Sequence, residues 1–174
     1  MATDEVGSRD FDVCIGVITI DERFVRAPAD LCFHVAADVE RWPSLLPHYR
    51  WVRFHEKQGF GQGIVEMAAW RLFPAGLKYP AWWVSEMRAS ESEAAVYYEH
   101  IAGITRGMSV KWEMAARGNT TLIRLFHRWR GPSWPLISGI AANWVIGPHF
   151  VSAIAQRTLA GVARVAEARG KARQ

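Results

Sequence analysis

His127 is the residue with the most chemistry to offer. It lies in the run Thr121 to Arg130, where Arg124, Arg128 and Arg130 share one parity and Ile123, Leu125, His127 and Trp129 share the other. Successive side chains of a strand point to opposite faces. The run therefore predicts a strand with its arginines in solvent and an imidazole on an apolar, aromatic inner face. An imidazole there can take up or release a proton near neutral pH; a hydrogen-bonded core histidine is the alternative. Tyr98 and His100 share a parity with Val96 and reach the same interior if Glu99 faces outward, whereas the opposite assignment turns Glu99 inward.

The same alternation sorts two further runs. Lys78, Glu86 and Arg88 fall on one parity and leave Tyr79, Trp83, Ser85 and Met87 on the buried one. Lys111 and Glu113 oppose Met108, Val110, Trp112 and Met114. Three strands then present one concave face on which Trp83, Trp112 and Trp129 can hold a flat or greasy ligand by shape and stacking. Tyr49, Tyr79 and Ser85 are the hydroxyls able to donate to a ligand carbonyl; packing with satisfied tips is their other reading. Asn143 and His149 either face the mouth of such a cavity or cap and break a helix around Pro148.

Other chemistries lack their signatures. No nucleophile triad, Gly-rich phosphate loop or paired-carboxylate motif occurs, and no cofactor is expected. Cys14 and Cys32 have no CxxC or Cys/His spacing, so no metal site is expected. The formal charge is +4, with Arg164, Arg169, Lys171 and Arg173 against Glu167 near the C-terminus. Cations suit the end of a helix, and no Lys/Arg run interleaves with aromatics, which argues against nucleic acid as a partner.

These side chains need a scaffold, and 174 residues at 50% hydrophobic content suit one domain with a sizeable core. The expected fold class is α+β. A first strand over 13–26 leads into short helices at 29–35 and 38–46, broken at Trp42-Pro43 and Leu46-Pro47. Six strands follow near 49–57, 63–72, 77–88, 94–101, 107–116 and 120–130, the last pair joined at Arg117-Gly118-Asn119-Thr120. After Pro148, apolar residues from Val151 to Ala166 recur at helical steps and need the concave sheet face as a cover. Residues 1–11 are expected as a disordered tail, 12–169 as a single ligand-binding domain and 170–174 as a basic tail.

Residues 131–156 contain no Asp, Glu, Lys or Arg. Pro132, Pro135 and Pro148 break them too often for a membrane span, so a buried helix or a loop touching a membrane surface through 131–150 is expected. Trp134 and Trp144 suit such an interface. The N-terminus carries Asp4, Glu5 and Asp10 and no apolar run, so no leader peptide is expected and a cytoplasmic location is the default. A monomer and a homodimer are both compatible with the sequence.

The run from Ala27 to Phe33, then Asp38 to Pro43, then Leu46-Pro-His-Tyr49 resembles the opening of the START-like SRPBCC superfamily, in its polyketide cyclase/dehydrase branch. Gly118 to Thr121 and Leu159 to Glu167 are similar as well. The resemblance implies a helix-grip fold, in which a curved seven-stranded antiparallel sheet wraps the C-terminal helix around a cavity for a hydrophobic small molecule. In aromatase/cyclase members a Tyr after the Trp-Pro segment and an Arg on a central strand project into that cavity and assist enolisation and loss of water. Tyr49 matches the Tyr; Met87 stands where the Arg is expected. Superfamily members also include non-catalytic lipid and quinone carriers, so a polyketide-like, aromatic or lipid ligand is implied, with or without turnover.

Overall fold

The computed structural model describes residues 17–72, 76–129 and 148–173. The expectations for the tail 1–11, for Asn143, and for 131–147 as a membrane-contacting stretch lie outside these residues, as does the side chain of His149. Seven strands form one antiparallel sheet: β1 (Val17–Val25), β2 (Tyr49–Gly59), β3 (Gln62–Leu72), β4 (Lys78–Ser90), β5 (Ala95–Gly103), β6 (Ser109–Arg117) and β7 (Thr120–Trp129). Helix α1 (Ala29–Ala37) and the single turn α2 (Trp42–Leu45) separate β1 from β2, and α3 (Pro148–Lys171) follows β7. The expected second helix is thus a 3-10 turn (Val39–Arg41) plus α2, because Pro43 cannot supply an interior amide hydrogen. Helix α3 runs two residues into the segment expected as a basic tail.

Strands β2 to β7 form a meander, and β1 closes onto β7, giving the order β1-β7-β6-β5-β4-β3-β2. Register shifts at three points between β2 and β3 and one between β4 and β5 bend the sheet. Alternation decides which face is covered. Ala81, Trp83, Ser85, Met87 and Ala89 of β4 are buried while Trp82, Glu86 and Arg88 are exposed. Val110, Trp112 and Met114 of β6, and Ile123, Leu125, His127 and Trp129 of β7, are buried on the same concave side. Helix α3 lays Ala155, Thr158, Leu159, Val162, Ala163 and Ala166 against that side. The result is the helix-grip arrangement.

Two glycines set close approaches that shape the interior. A Cβ on Gly161 of α3 would lie 2.3 Å from Leu46 Cδ2, so the missing side chain lets the end of α2 seat against the helix. Arg164 donates to the Leu45 carbonyl at 3.0 Å and reinforces this contact. Gly103 has φ +89 where β5 meets β4, and a Cβ there would lie 2.3 Å from the Trp82 carbonyl oxygen. That position supports the bulge which brings Ser85 opposite His100.

Gly103→Ala therefore meets both backbone strain and a clash with backbone that has no freedom to yield. It is expected to lower the unfolding free energy by about 3 kcal/mol. At Gly107, φ is +82 but nothing lies within 4 Å of an added Cβ. Gly107→Ala should cost only about 1 kcal/mol. Urea denaturation of both variants checks the difference, and equal losses would contradict it.

Candidate functional site: an aromatic hollow beneath the C-terminal helix

The concave face and α3 do not fill the space between them. A hollow of about 80 Å³ remains, walled by Trp42, Tyr49, Trp83 and Trp112 on one side and by Ile154, Ala155 and Thr158 of α3 on the other. Tyr98, His100, Thr105 and His127 add polar groups, and Met108 and Leu125 complete the apolar lining. The aromatic rings brace one another. Trp42 packs edge-on to Tyr49 at 5.0 Å and tilts against Trp112 at 6.0 Å. Trp83 lies parallel to His100, with ring centres 5.9 Å apart, and meets Tyr49 edge-on at 6.3 Å.

The polar groups are fixed one by one. Thr158 Oγ1 donates to the Ile154 carbonyl at 2.8 Å, as a Thr within a helix commonly does. A hydroxyl has one proton, so toward His48 Nε2, 3.0 Å away, it is an acceptor. That selects the His48 tautomer with hydrogen on Nε2. Tyr49 Oη lies 3.4 Å from the same hydroxyl. His100 Nδ1 pairs with Thr105 Oγ1 at 2.5 Å, and His127 Nδ1 with Thr19 Oγ1 at 3.3 Å. Each ring is thereby held through one nitrogen and keeps Nε2 for the interior. Tyr98 Oη is fully buried and has no hydrogen-bond partner among the described residues.

All of these groups are uncharged at neutral pH. Burial pushes the His127 imidazole down to about 4, against an upward pull from the Asp21 carboxylate. Burial, helped by the proximity of His127, takes His100 to about 3. His48 falls to about 4 through burial and then the charge of Arg157. Burial raises the Tyr49 phenol, with the Thr158 contact opposing it, and raises Tyr98 well above its ordinary value. Asp21 itself accepts from Ser152 at 3.3 Å and Gln156 at 3.1 Å, which ties β1 to the first half of α3.

Six of the side chains singled out in the sequence meet in the hollow: Tyr49, Trp83, Tyr98, His100, Trp112 and His127. The open question on β5 is settled with Tyr98 and His100 inside and Glu99 exposed. Four others do not line it. Tyr79 has the expected parity but sits at the start of β4, beyond the covered part of the face, and is 44% exposed. Ser85 and Met87 are buried on the concave face further along β4 and do not line the hollow. Trp129 is buried at the end of β7 with Nε1 donating to the Arg106 carbonyl at 3.1 Å, so it pins the β5–β6 turn. Trp42, whose pair with Pro43 marks a helix break in the sequence, is also part of the wall. Thr105 and Thr158 were not anticipated, although a Thr on the apolar stripe of a helix was the available signal for the second.

Among the described residues, no group of three or more His, Cys, Asp or Glu is placed to hold a metal, and no helix is long and apolar enough to cross a membrane. The buried imidazoles give stability a definite pH dependence. Each has a lower pKa folded than its ordinary 6.5, so the unfolded chain binds more protons below that pH. Stability is complete above pH 6.5 and falls toward pH 4 for His48 and His127 and toward pH 3 for His100. At pH 5 the expected loss is about 2 kcal/mol per histidine. His127→Gln should flatten the stability slope between pH 6.5 and 5 by about a third. Denaturation across that range checks it, and an unchanged slope would show that His127 is not buried neutral.

Comparison with known proteins agrees with this architecture. The chain is similar to the Zhui aromatase/cyclase from Streptomyces sp. R1128, at 21% identity and a TM-score of 0.68 over 88% of this chain and 95% of that one. It is similar to major latex-like protein 151 from Panax ginseng, at 15% identity and a TM-score of 0.64 over 90% of this chain and 98% of that one. It is also similar to a START superfamily protein from Mycobacterium smegmatis, at 14% identity and a TM-score of 0.61 over 91% and 99%. At these identities the likeness is one of fold. No curated protein sequence matches. The model of the family described as polyketide cyclase / dehydrase and lipid transport matches residues 25–145, well over half of the sequence, and the chain belongs to that family.

Proposed function

We propose that this chain binds a hydrophobic, largely aromatic small molecule between its sheet and α3 and catalyses cyclisation or dehydration of it. The observation that carries this reading is the meeting of Tyr49, Tyr98, His100 and His127, from three separate strands, in one aromatic hollow. His127 Nε2 takes a proton from the carbon beside a ligand carbonyl. A tyrosine hydroxyl donates to the carbonyl oxygen as enolate charge builds there. The enolate electron pair then expels a β-hydroxyl, and the imidazolium returns the proton so that water leaves. An imidazole held near 4 is a weak base at rest, and the Asp21 carboxylate stabilises the cation once it forms.

At about 80 Å³ the hollow is roughly half the ~150 Å³ of a cavity that admits benzene. A bound ligand therefore requires it to widen. The second half of α3 is clamped by Leu46, by Arg164, and by the Glu167 carboxylate accepting from the Arg26 amide at 3.0 Å. The first half is held to the sheet mainly through the polar contacts of Asp21 and Thr158, and it is the wall that yields.

Native mass spectrometry of protein purified from its own host identifies the ligand. With that molecule, His127→Ala should lower kcat at least 100-fold while Kd stays within about threefold, the range general base catalysis commands. Unchanged turnover would refute the proton-transfer role.

A second reading, a non-catalytic carrier that docks on membranes, is favoured by Met87 standing where the aromatase resemblance puts a cation, and by the lipid transport in the family's description. It predicts co-sedimentation with liposomes that Trp134→Ser and Trp144→Ser weaken. No sedimentation of the parent chain would count against it.

A further inference from the structure

The hollow is unusual for what it lacks. Among the described residues, no Asp, Glu, Lys or Arg lines it. Residues 131–156, on the way into α3 and through its start, contain none of the four. The one carboxylate close by, Asp21 on β1, bears on His127 and has its Oδ2 buried without a partner. Its charge has the sign that repels an anion. The wall carries two phenols, two imidazoles and the hydroxyls of Thr105 and Thr158, and among the described residues Tyr98 Oη is fully buried and unpartnered. A buried donor with nothing to donate to is destabilising, and a ligand acceptor relieves that cost.

We propose that this site takes uncharged ligands bearing a hydrogen-bond acceptor, anchored by the Tyr98 hydroxyl, and excludes their ionised carboxylate counterparts. The inference rests on the binding reading given above and narrows it: free fatty acids and aromatic acids are not cargo, whereas neutral aromatic carbonyl compounds are. The physical reason is desolvation. An ion moved into a space without a counter-charge loses its hydration with nothing in return, and it enters only after protonation. For a carboxylic acid with an ordinary pKa near 4.3, binding in the neutral form alone weakens apparent affinity about 500-fold at pH 7.

The test uses an isosteric pair, 2-acetylnaphthalene and 2-naphthoate, with naphthalene as the reference, followed by energy transfer from tryptophan in the full chain. The ketone is expected to bind and the acid to bind at least 100-fold more weakly at pH 7. Affinity for the acid should rise about tenfold on going from pH 7 to pH 6, because the neutral fraction of the acid rises tenfold there. Among the described residues, the titratable groups facing the space are Tyr49 from β2, Tyr98 and His100 from β5 and His127 from β7. Asp21 from β1 and His48 behind Thr158 stand next to them, and the three imidazoles titrate near 3 to 4.

Tyr98→Phe should weaken the ketone five- to tenfold and leave naphthalene unchanged. Naphthoate binding as tightly as the ketone at pH 7 overturns the exclusion while leaving the cavity reading intact. Failure of naphthalene and the ketone alike to bind overturns the cavity reading and this inference with it. An equal loss for naphthalene and ketone in Tyr98→Phe would mark repacking and overturn the anchoring role.

Discussion

A sheet bent this far has an inner face that one helix must cover, and every feature of the site follows from the fit being incomplete. Helix α3 turns mostly small side chains inward, Ala155, Thr158, Val162, Ala163 and Ala166 with Leu159 the exception, while the concave face of the sheet carries Trp83, Trp112 and Met114. Small against large would pack closely if the strands were flat. Curvature instead leaves the space under Thr158, which the tryptophans border without filling. Close contact returns where the helix has glycine: at Gly161, which seats Leu46, and at Gly170, near Ala27 and Leu31. One end of the helix is therefore a structural clamp and the other a wall.

Placing imidazoles and phenols inside such a space imposes a second condition, that each be held without being charged. Threonine meets it three times. Thr19, Thr105 and Thr158 each engage one ring nitrogen of a histidine, offering a hydroxyl that can donate or accept without carrying charge. A carboxylate in any of those positions would favour an imidazolium and change the chemistry of the interior. The carboxylate that does approach, Asp21, is engaged by Ser152 and Gln156 on α3. It is close enough to His127 to matter electrostatically, and it is not among the lining residues.

Much of this was legible from alternation, because a strand's parity is a local property. The faces of β4, β6 and β7 follow from where their charged residues fall, and His127 came inward with them. What parity cannot give is position along the strand relative to the rest of the fold. Tyr79, Ser85, Met87 and Trp129 have the right parity and lie outside the hollow, since how far along β4 the hollow extends and where the β5–β6 turn falls are tertiary facts. The threonine partners were invisible for a related reason: the Thr158 contact joins residues 110 positions apart. Only the assembled fold shows that the ring of Trp42 forms part of the wall.

Strand β1 opens the described chain and pairs only with β7, the final strand, with Val17 opposite Trp129 and Val25 opposite Thr121. During synthesis it therefore emerges long before its neighbour exists. Its outward side carries Ile18, Ile20 and Phe24, which remain exposed even in the finished protein. A nascent chain must keep this greasy segment from pairing with other chains until some hundred residues later, a topology that slows folding and invites aggregation. Closing the sheet also places Asp21 where α3 docks. Helix α3, made after both strands, is thus received by a surface that β1 and β7 create together.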